Sequence, residues 1–292
     1  MMESFVSPLS GNILRPQYSV RDYLVSQEVF NVFYDSDWDM LLTLPVPENL
    51  ASYYESKDYA PHRLSKNSFF DLIYQVIRKQ SFRYKYRILK EIYPGFNSVL
   101  DFGAATGLFL SFLQSKNIEI CGVEPNKNAR KTANLLTGNK VYSDLSACNG
   151  KFDIITLWHV LEHVKNPVKL IGELEKKLNP GGMLVIALPN FKSYDSEYYE
   201  QYWAAYDVPR HLWHFSPRSI IKLFSPFKFQ LIARKPLIFD SFYVSLLSEQ
   251  YKNGKKRWLP AFFNGLKSNL KARKTGNYSS LIYILQSTAN KN

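Results

Sequence analysis

The middle of the chain alternates short apolar runs with stretches whose apolar residues recur at helical spacing. Such alternation is typical of strand and helix units that build a mainly parallel sheet. The predicted strands are Ser98 to Phe102, Ile118 to Val123, Lys140 to Ser143, Phe152 to Trp158 and Met183 to Leu188. The predicted helices between them are Leu108 to Lys116, Lys127 to Leu136 and Val168 to Leu178. Asn179-Pro180-Gly181-Gly182 is expected to end the last helix and to turn the chain into the next strand.

Two regions flank this unit. Residues 1–60 contain many tyrosines and turn formers without a sustained period, so we expect a small, irregular N-terminal module over residues 1–67. Residues 68–92 carry an apolar stripe that predicts a helix at the start of a second domain, residues 68–292. The last two predicted strands, Phe227 to Arg234 and Ser280 to Gln286, are about 45 residues apart, which is too long for a hairpin. A helical insertion over residues 240–276 is therefore predicted.

Composition excludes several classes of protein. The 292 residues are 46% hydrophobic and 21% charged, which is typical of a globular chain and not of a disordered or fibrous one. No apolar run reaches the roughly 18 residues that a membrane span needs, and the start lacks a signal peptide pattern. We therefore expect a cytoplasmic protein. The two cysteines, Cys121 and Cys148, are too few for a disulfide framework, which suits a reducing compartment.

The net charge of +12 is concentrated in two segments. Residues 72–90 contain six basic residues and residues 251–274 contain eight, and neither segment contains an acid. Basicity along a whole chain suggests a nucleic-acid partner, but here the remainder is slightly acidic. The basic segments also match no nucleic-acid reading module, so no nucleic-acid partner is predicted.

A candidate cofactor loop follows the first strand of the central unit. It reads Asp101-Phe102-Gly103-Ala104-Ala105-Thr106-Gly107 and leads into a helix. Small residues at such a turn let a ligand approach the backbone, and the helix N-terminus offers free N–H groups. Glu124, at the end of the second strand and 21 residues after Gly103, is placed to accept both hydroxyls of a ribose. The pair predicts a nucleoside-bearing cofactor, and the alternative is an ordinary tight turn.

The loop departs from the G-x-G-x-x-G of nicotinamide enzymes. From residue 68 to 290 the chain instead resembles the class I S-adenosylmethionine-dependent methyltransferases, in the branch of ubiquinone-biosynthesis-type and polysaccharide-locus enzymes. The segments that carry the resemblance are Asp101 to Gly107, Gly122 to Pro125, Phe152 to Val164 and Leu178 to Gly182. The resemblance implies a Rossmann-like fold with a mainly parallel seven-stranded sheet, helices on both faces, and S-adenosylmethionine as cofactor.

The resemblance also implies individual roles. Gly103, Ala105 and Gly107 would line the methionine and ribose of the cofactor, with Asp101 orienting their loop. Glu124 would bind the ribose, Asp144 would approach the adenine amino group, and Trp158 and His159 would face the sulfonium. Ala105 departs from the family, in which this position is usually glycine.

A second block, Tyr206 to Ser216, follows the fifth strand and resembles the Asp-x-Pro-Arg-His-Leu-x-His-Phe-Ser segment of the same branch. Methylation of a hydroxyl needs positioning and a base, and the reference pKa of histidine, about 6.5, suits that role. We rank His211 first and His159 second as this base, with His214 as a further candidate. Each of these histidines could instead have a purely structural role, in which its hydrogen bonds hold a loop in place. His163 is expected to be structural, and His62 is given no role.

The N-terminal module resembles a zinc knuckle of this branch without its cysteines. Ser7, Ser10, Asp35 and Trp38 stand where the two cysteine pairs would be, so no metal is predicted. Aromatic packing would then hold the module together.

The basic insertion leaves three functions open besides a solvated helical lid. It could cap the site, bind a phosphate-bearing substrate, or lie on a membrane surface through residues 251–274. Aromatic residues after the fifth strand could stack on a sugar or form a packed lid; they are Tyr194, Tyr198, Tyr199, Tyr202, Trp203 and Trp213.

The sequence as a whole predicts a methyltransferase that acts on a small-molecule or sugar-containing acceptor, most readily at oxygen. The alternatives are a non-catalytic methyltransferase-like interaction module and, less favoured, a nicotinamide-dependent oxidoreductase. The sequence does not indicate an oligomeric state.

Overall fold

The computed structural model describes residues 5–54 and 69–288, with side chains in the first helix from residue 79 onwards. In chain order the strands are β1 (Arg15–Arg21), β2 (Val29–Asp35), β3 (Met40–Leu44), β4 (Ser98–Phe102), β5 (Glu119–Val123), β6 (Val141–Tyr142), β7 (Phe152–Trp158), β8 (Leu178–Pro189), β9 (Trp213–His214), β10 (Phe229–Pro236) and β11 (Ser280–Ser287). The helices are α1 (Phe69–Ile92), α2 (Leu108–Gln114), α3 (Lys127–Thr137), α4 (Pro167–Lys177), α5 (Tyr194–Tyr199), α6 (Pro217–Phe224), α7 (Asp240–Asn253) and α8 (Trp258–Thr275). His62 and the predicted domain boundary at residues 67 and 68 lie outside the described residues.

Seven strands form one sheet in the order β10-β11-β8-β7-β4-β5-β6. β5, β4, β7 and β8 pair in parallel, and β6 continues them beyond β5. β11 is antiparallel to both of its neighbours, β8 and β10. The predicted mainly parallel α/β fold is therefore confirmed. The strand order changes direction between β4 and β7, and a ligand crevice is expected at the carboxyl ends of the strands there.

Alternate residues of each central strand point to opposite faces of this sheet, and both faces are covered. Leu100 and Ile155 belong to one apolar cluster, with α4 and α6, whereas their neighbours Val99 and Ile154 belong to another, with α1, α2 and α3. A strand that is buried on both faces is apolar at nearly every position, which is the pattern of β4 and β7. The predicted placement of helices on both faces is thus confirmed.

The N-terminal module is more regular than the sequence predicts. β1, β2 and β3 form an antiparallel sheet, and β9 completes it with the order β1-β2-β3-β9. β9 is only two residues long, and it pairs His214 with Leu41 and Trp213 with Leu42. The block after the fifth strand of the main sheet therefore contributes a strand to the module.

The strand after α4 starts earlier than predicted. β8 begins at Leu178, opposite Phe152, so the Asn179-Pro180-Gly181-Gly182 segment lies within the strand, and the register shifts between Phe152 and Ile154. Gly181 has a φ of 74°, a conformation that favours glycine. The predicted insertion before the last strand is confirmed as the antiparallel pair α7 and α8. Among the described residues, no helix combines the length and the apolar character that crossing a membrane requires.

Candidate functional site

The predicted cofactor residues meet at the carboxyl edge of the main sheet. β4 leads into the loop of Gly103 to Gly107, β5 ends beside Glu124, and β7 ends with Trp158. β4 lies between β5 and β7, so the three strand ends are neighbours. Asp144 follows β6, one strand further out. The sequence separation of these residues is large, but the sheet order brings them to one edge.

The loop requires its glycines and accommodates its alanine at a cost. A Cβ atom on Gly103 would lie 2.4 Å from Cγ2 of Val160, and Gly103 has a φ of 83°. A Cβ atom on Gly107 would lie 2.8 Å from Cα of Ala133. Ala105 itself has a φ of 48°, where an alanine is less stable than a glycine. The loop therefore adopts this conformation with an alanine at the position where the resemblance implies a glycine.

Glu124 holds this loop from the neighbouring strand. Its Oε2 accepts a hydrogen bond of 2.8 Å from the amide of Ala105, and its Oε1 accepts one of 2.8 Å from the amide of Asn126. A carboxylate has about four lone-pair sites, so two remain for further donors. Glu124 is thus fixed in orientation and can still accept ribose hydroxyls.

Asp144 lies at the same edge but is engaged locally. It caps the short helical turn Leu145–Ala147, accepts the amide of Ser146 at 3.0 Å and accepts the hydroxyl of Ser143 at 3.0 Å. The hydroxyl of Ser146 also donates to Asp144, and this bond, together with those from the Ser143 hydroxyl and the Ser146 amide, lowers the pKa of Asp144. Its side chain is exposed, and the predicted contact with adenine stays a prediction.

Trp158 carries an unpaired polar atom at the crevice. Its indole Nε1 is buried and has no hydrogen-bond partner among the described residues. A buried N–H without an acceptor is costly, so this group fits a ligand that supplies one. The ring packs edge-on against Phe109, and Nζ of Lys85 lies 4.1 Å from a ring centroid of Trp158. The unpaired indole N–H of Trp158 and the remaining lone pairs of Glu124 both fit a polar cofactor in this crevice.

Two buried charges underlie the loop. Asp101 is 3% exposed and accepts a hydrogen bond of 2.6 Å from the hydroxyl of Thr156. Burial raises the pKa of Asp101 to about 6, although Thr156 and Lys85 act in the opposite direction. Burial likewise lowers the pKa of Lys85 to about 8, against the attraction of Asp101 and Asp240. Asp101 therefore lies in β4 directly before the loop, in a region of weakly screened charge, and its predicted role in orienting the loop stays a prediction.

His159 lies next to Trp158 and forms two ion pairs. Its Nε2 lies 3.2 Å from Oδ2 of Asp240, and its Nδ1 lies 3.5 Å from Oε1 of Glu162. Burial alone would lower the pKa of His159, but the bonds to Asp240 and Glu162 outweigh it and raise the pKa to about 10. An imidazole with this pKa is protonated at neutral pH, so it cannot take up another proton.

His211 and His214 lie deeper, between the two sheets. His211 is 8% exposed, and its Nδ1 lies 2.8 Å from the carbonyl oxygen of Ala205, so Nδ1 carries the proton. Burial lowers the pKa of His211 to about 4. His214 is 4% exposed, and its Nε2 lies 2.9 Å from Oγ1 of Thr43. Burial also lowers the pKa of His214, and this setting favours a structural role for it.

Glu162 joins these histidines. Its carboxylate is 1% exposed, and neither oxygen has a close hydrogen-bond partner among the described residues. The protonated imidazole of His159, whose Nδ1 lies 3.5 Å from Oε1, chiefly compensates the carboxylate, and the pKa of Glu162 is lowered despite its burial. Within the described part of the chain, Glu162, His163 and His211 form the one group whose donor atoms could hold a metal ion, all within 4.8 Å of one another. The sequence prediction of no metal does not consider this group and stays a prediction.

Three of the six candidate stacking aromatics are core residues. Tyr199, Trp203 and Trp213 are between 0% and 6% exposed. Tyr194 and Tyr198 lie under lysines of the insertion, Lys271 and Lys252, at 4.1 Å and 4.9 Å. The packed-lid alternative therefore holds for the buried residues. A separate cavity of about 300 Å³ lies between the N-terminal sheet and the segment around α5, and its wall includes Tyr18, Tyr34, Phe191, Lys192, Glu197 and Tyr206.

Three polar residues of the site are assigned no role by the sequence. They are Lys85, Glu162 and Asp240, which contact Trp158 or His159. Lys85 is one of six basic residues in its segment, and Asp240 begins the insertion, so neither stands out by spacing. Glu162 lies inside the Phe152 to Val164 segment that carries the resemblance, but the sequence does not indicate which residues it contacts.

Comparison with known proteins agrees with this geometry. The methyltransferase domain family matches residues 67–234, more than half of the chain. An uncharacterized methyltransferase of Mycobacterium sp. (strain JLS) is 28% identical over 102 residues, 33% of this chain and 40% of that protein. A ubiquinone biosynthesis O-methyltransferase of Aromatoleum aromaticum is 30% identical over 108 residues, 33% of this chain and 46% of that protein. The matched part thus spans less than half of these relatives' length.

The fold has solved counterparts. A putative sarcosine dimethylglycine methyltransferase from Galdieria sulphuraria has a TM-score of 0.50 and 14% identity, over 73% of this chain and 86% of that one. At this identity the likeness bears on the fold alone. Together with the family match it confirms the resemblance inferred from the motifs: the chain belongs to the methyltransferase domain family.

Proposed function

We propose that this protein transfers a methyl group from S-adenosylmethionine to an acceptor hydroxyl and releases S-adenosylhomocysteine. The observation that carries the proposal is Glu124, which is fixed by the loop amides at the edge of the crevice and keeps lone pairs for a ribose. The family match and the O-methyltransferase relative support the same reaction.

The residues of the chain have separate tasks in this proposal. Gly103, Ala105 and Gly107 line the crevice, and Glu124 holds the ribose. Trp158 offers its unpaired indole N–H at the reacting end. The bound cofactor supplies an electrophilic methyl group on sulfur, and in-line transfer then depends on positioning.

The two leading histidines are suited to different tasks. His159 is protonated and held by Asp240 and Glu162, so we assign it the tasks of positioning the reactants and compensating the two carboxylates. His211 is neutral at neutral pH, and its Nε2 is left as the proton-accepting atom because Nδ1 faces a carbonyl. We therefore keep His211 as the proposed proton acceptor. His211→Gln should lower turnover while the affinity for S-adenosylmethionine is retained, and equal turnover would remove the assignment.

The acceptor is proposed by class. The cavity between the N-terminal sheet and α5 has room for a single ring, and its wall combines aromatic faces with the charges of Lys192 and Glu197. Such walls suit a sugar or a hydroxylated ring. We propose a small-molecule or sugar-containing acceptor and no nucleic acid. Both cysteines are free thiols, which supports a cytoplasmic site of action.

Transfer of label from S-adenosylmethionine carrying a radioactive methyl group tests this function. The acceptors would be nucleotide sugars, free monosaccharides and catechols, each assayed with wild type and with Glu124→Ala. Labelled product from one class, lost in the variant, is the expected result. Transfer at the same rate by both proteins would contradict the proposed site.

A further inference from the structure

α8 has its large apolar residues on the outside. Leu259, Phe262, Phe263, Leu266 and Leu270 are exposed, with between 37% and 72% of their surface accessible. At 100° per residue these side chains lie on one side of the helix, and we call this side the outer face. The buried side of the same helix consists of Ala261, Gly265, Ser268 and Ala272.

This arrangement reverses that of an ordinary surface helix, which buries its apolar stripe. The small residues let α8 approach α7 closely, since a Cβ atom on Gly265 would lie 2.8 Å from Cδ1 of Phe242. The small residues thus form most of the contact between the two helices; of the large side chains, Phe262 also stacks on Phe242 of α7, with ring centroids 5.5 Å apart. Clustered exposed apolar residues of this kind mark an interaction surface.

The apolar surface continues from α8 towards the rim of the site, because Nδ2 of Asn269 on α8 donates a hydrogen bond of 2.9 Å to the carbonyl oxygen of Ile238. Ile238 and Phe239 immediately precede α7 and are 43% and 58% exposed. The next residue, Asp240, lies 3.2 Å from Nε2 of His159. The start of α7 is therefore both part of the apolar surface and a wall of the candidate site.

The charge around the outer face selects the kind of partner. Residues 251–274 contain eight basic residues and no acid. Lys255, Lys256 and Arg257 are exposed at one end of α8, and Arg273 and Lys274 are exposed at the other. A second copy would bring the same positive charges together, which is unfavourable. An apolar helix face with basic residues around it is typical of a helix that lies in an anionic lipid surface.

We infer that the outer face of α8, together with Ile238 and Phe239, binds an anionic membrane surface. The apolar side chains enter the lipid interface, and the basic residues at both ends of the helix contact the headgroups. The rim of the site then faces the lipid, so an acceptor carried on a lipid or dissolved in the interface reaches His159 directly. This last step rests on the proposed function, whereas the membrane contact does not.

The test is co-sedimentation of the full chain with vesicles. Wild type should bind vesicles of phosphatidylglycerol and phosphatidylcholine, and bind phosphatidylcholine vesicles at least tenfold more weakly. Added salt should weaken the binding because it screens the headgroup attraction. Leu259→Ser combined with Phe263→Ser should reduce binding to the anionic vesicles at least tenfold.

A matched control removes two exposed apolar side chains elsewhere. Leu135→Ser on α3 with Ile221→Ser on α6 changes residues that are 81% and 55% exposed, and binding should equal that of wild type. Absence of wild-type binding, or equal loss in the control, overturns the inference. A wild-type dimer in sedimentation velocity that Leu259→Ser with Phe263→Ser converts to a monomer also overturns it, because the face would then serve a second copy.

Calorimetric titration with S-adenosylmethionine separates this inference from the proposed function. Both double variants should bind the cofactor as wild type does. Vesicle binding by a wild type that does not bind the cofactor would support the membrane contact and reject the methyltransferase proposal.

Discussion

At the scale of single residues, Ala105 shows how the site tolerates a departure from its family. Its amide is the donor that Glu124 accepts at 2.8 Å, so the loop conformation and the orientation of the carboxylate depend on each other. The φ of 48° is the cost, because the Cβ atom of an L-residue is crowded there. Unfavourable backbone conformations of this kind cluster at functional sites.

Ala105→Gly should therefore stabilise the protein. Relief of the left-handed strain is worth about 1–2 kcal/mol, and the greater freedom of glycine in the unfolded chain offsets about 0.4–1 kcal/mol of it. Urea unfolding should show a gain of up to about 1 kcal/mol, with cofactor affinity retained. The control is Ala129→Gly inside α3, where a loss of about 0.5–1 kcal/mol is expected. A loss of similar size at both positions would contradict the account.

His159 illustrates how neighbours determine the proton state of a residue. Its two acidic partners come from different elements, Glu162 from the following turn and Asp240 from the insertion. The pKa of His159, raised to about 10, means that the folded state holds a proton that the unfolded chain releases near pH 6.5. The resulting stabilisation is complete below about pH 6.5 and is lost as the pH rises through 10.

Asp240→Asn should lower the pKa of His159 because it removes the carboxylate that does most to raise this pKa. The titration of the His159 imidazole, followed by NMR, should move from about 10 to a lower pH, and the alkaline loss of stability should begin earlier. Asp144→Asn is the control, since the hydrogen bonds of Asp144 go to Ser143 and Ser146. An unchanged His159 titration in Asp240→Asn would show that the ion pair does not control it.

At the scale of elements, the segment from Tyr206 to Ser216 is a structural joint as well as a possible catalytic block. It provides β9 to the N-terminal sheet and places Arg210 in a buried cluster. Nη2 of Arg210 lies 2.8 Å from Oδ1 of Asp22 and 2.7 Å from Oδ1 of Asp207. Asp22 follows β1, so these ion pairs tie the N-terminal sheet to the block that carries His211.

Arg210→Met should destabilise the protein by about 3–5 kcal/mol, because it leaves two carboxylates in a buried place without their cation. The measurement is urea unfolding at neutral pH. Arg15→Met on the exposed edge strand β1 is the control and should change stability by no more than about 0.5 kcal/mol. A loss below about 1 kcal/mol for Arg210→Met would mean that the cluster does not hold the two sheets together.

The sequence predicts some elements much better than others, for physical reasons. Ser98–Phe102 and Phe152–Trp158 are predicted with their observed bounds because a strand covered on both faces is apolar throughout. The strands β1 and β2 show no regular alternation of buried and exposed residues. The strand β9, which completes their sheet, follows its partner β3 by about 170 residues in the sequence. A partner so distant in sequence leaves no local period. β8 begins earlier than predicted because Asn179-Pro180-Gly181-Gly182 is part of the strand, although such a sequence normally indicates a turn.

At the scale of the whole molecule, the site is assembled from four parts of the chain. α1 supplies Lys85, the central strands supply the loop, Glu124 and Trp158, the joint supplies His211, and the insertion supplies Asp240. Motif spacing predicts the central part, because its residues follow successive strands of one sheet. Lys85 and Asp240 could not be predicted in this way, since their approach depends on how α1 and α7 pack on the sheet. The charge states of His159 and His211 depend on the same packing and also had to come from the structure.

The central claim is that the crevice at β4, β5 and β7 binds S-adenosylmethionine. The most direct test is calorimetric titration of the full chain with S-adenosylmethionine and S-adenosylhomocysteine, with NAD as the control ligand. We expect both adenosyl ligands to bind and NAD not to, with affinity lower by about 1–3 kcal/mol in Glu124→Ala, which loses the acceptor of the ribose hydroxyls. Equal binding by Glu124→Ala and wild type, or preference for NAD, would contradict the account.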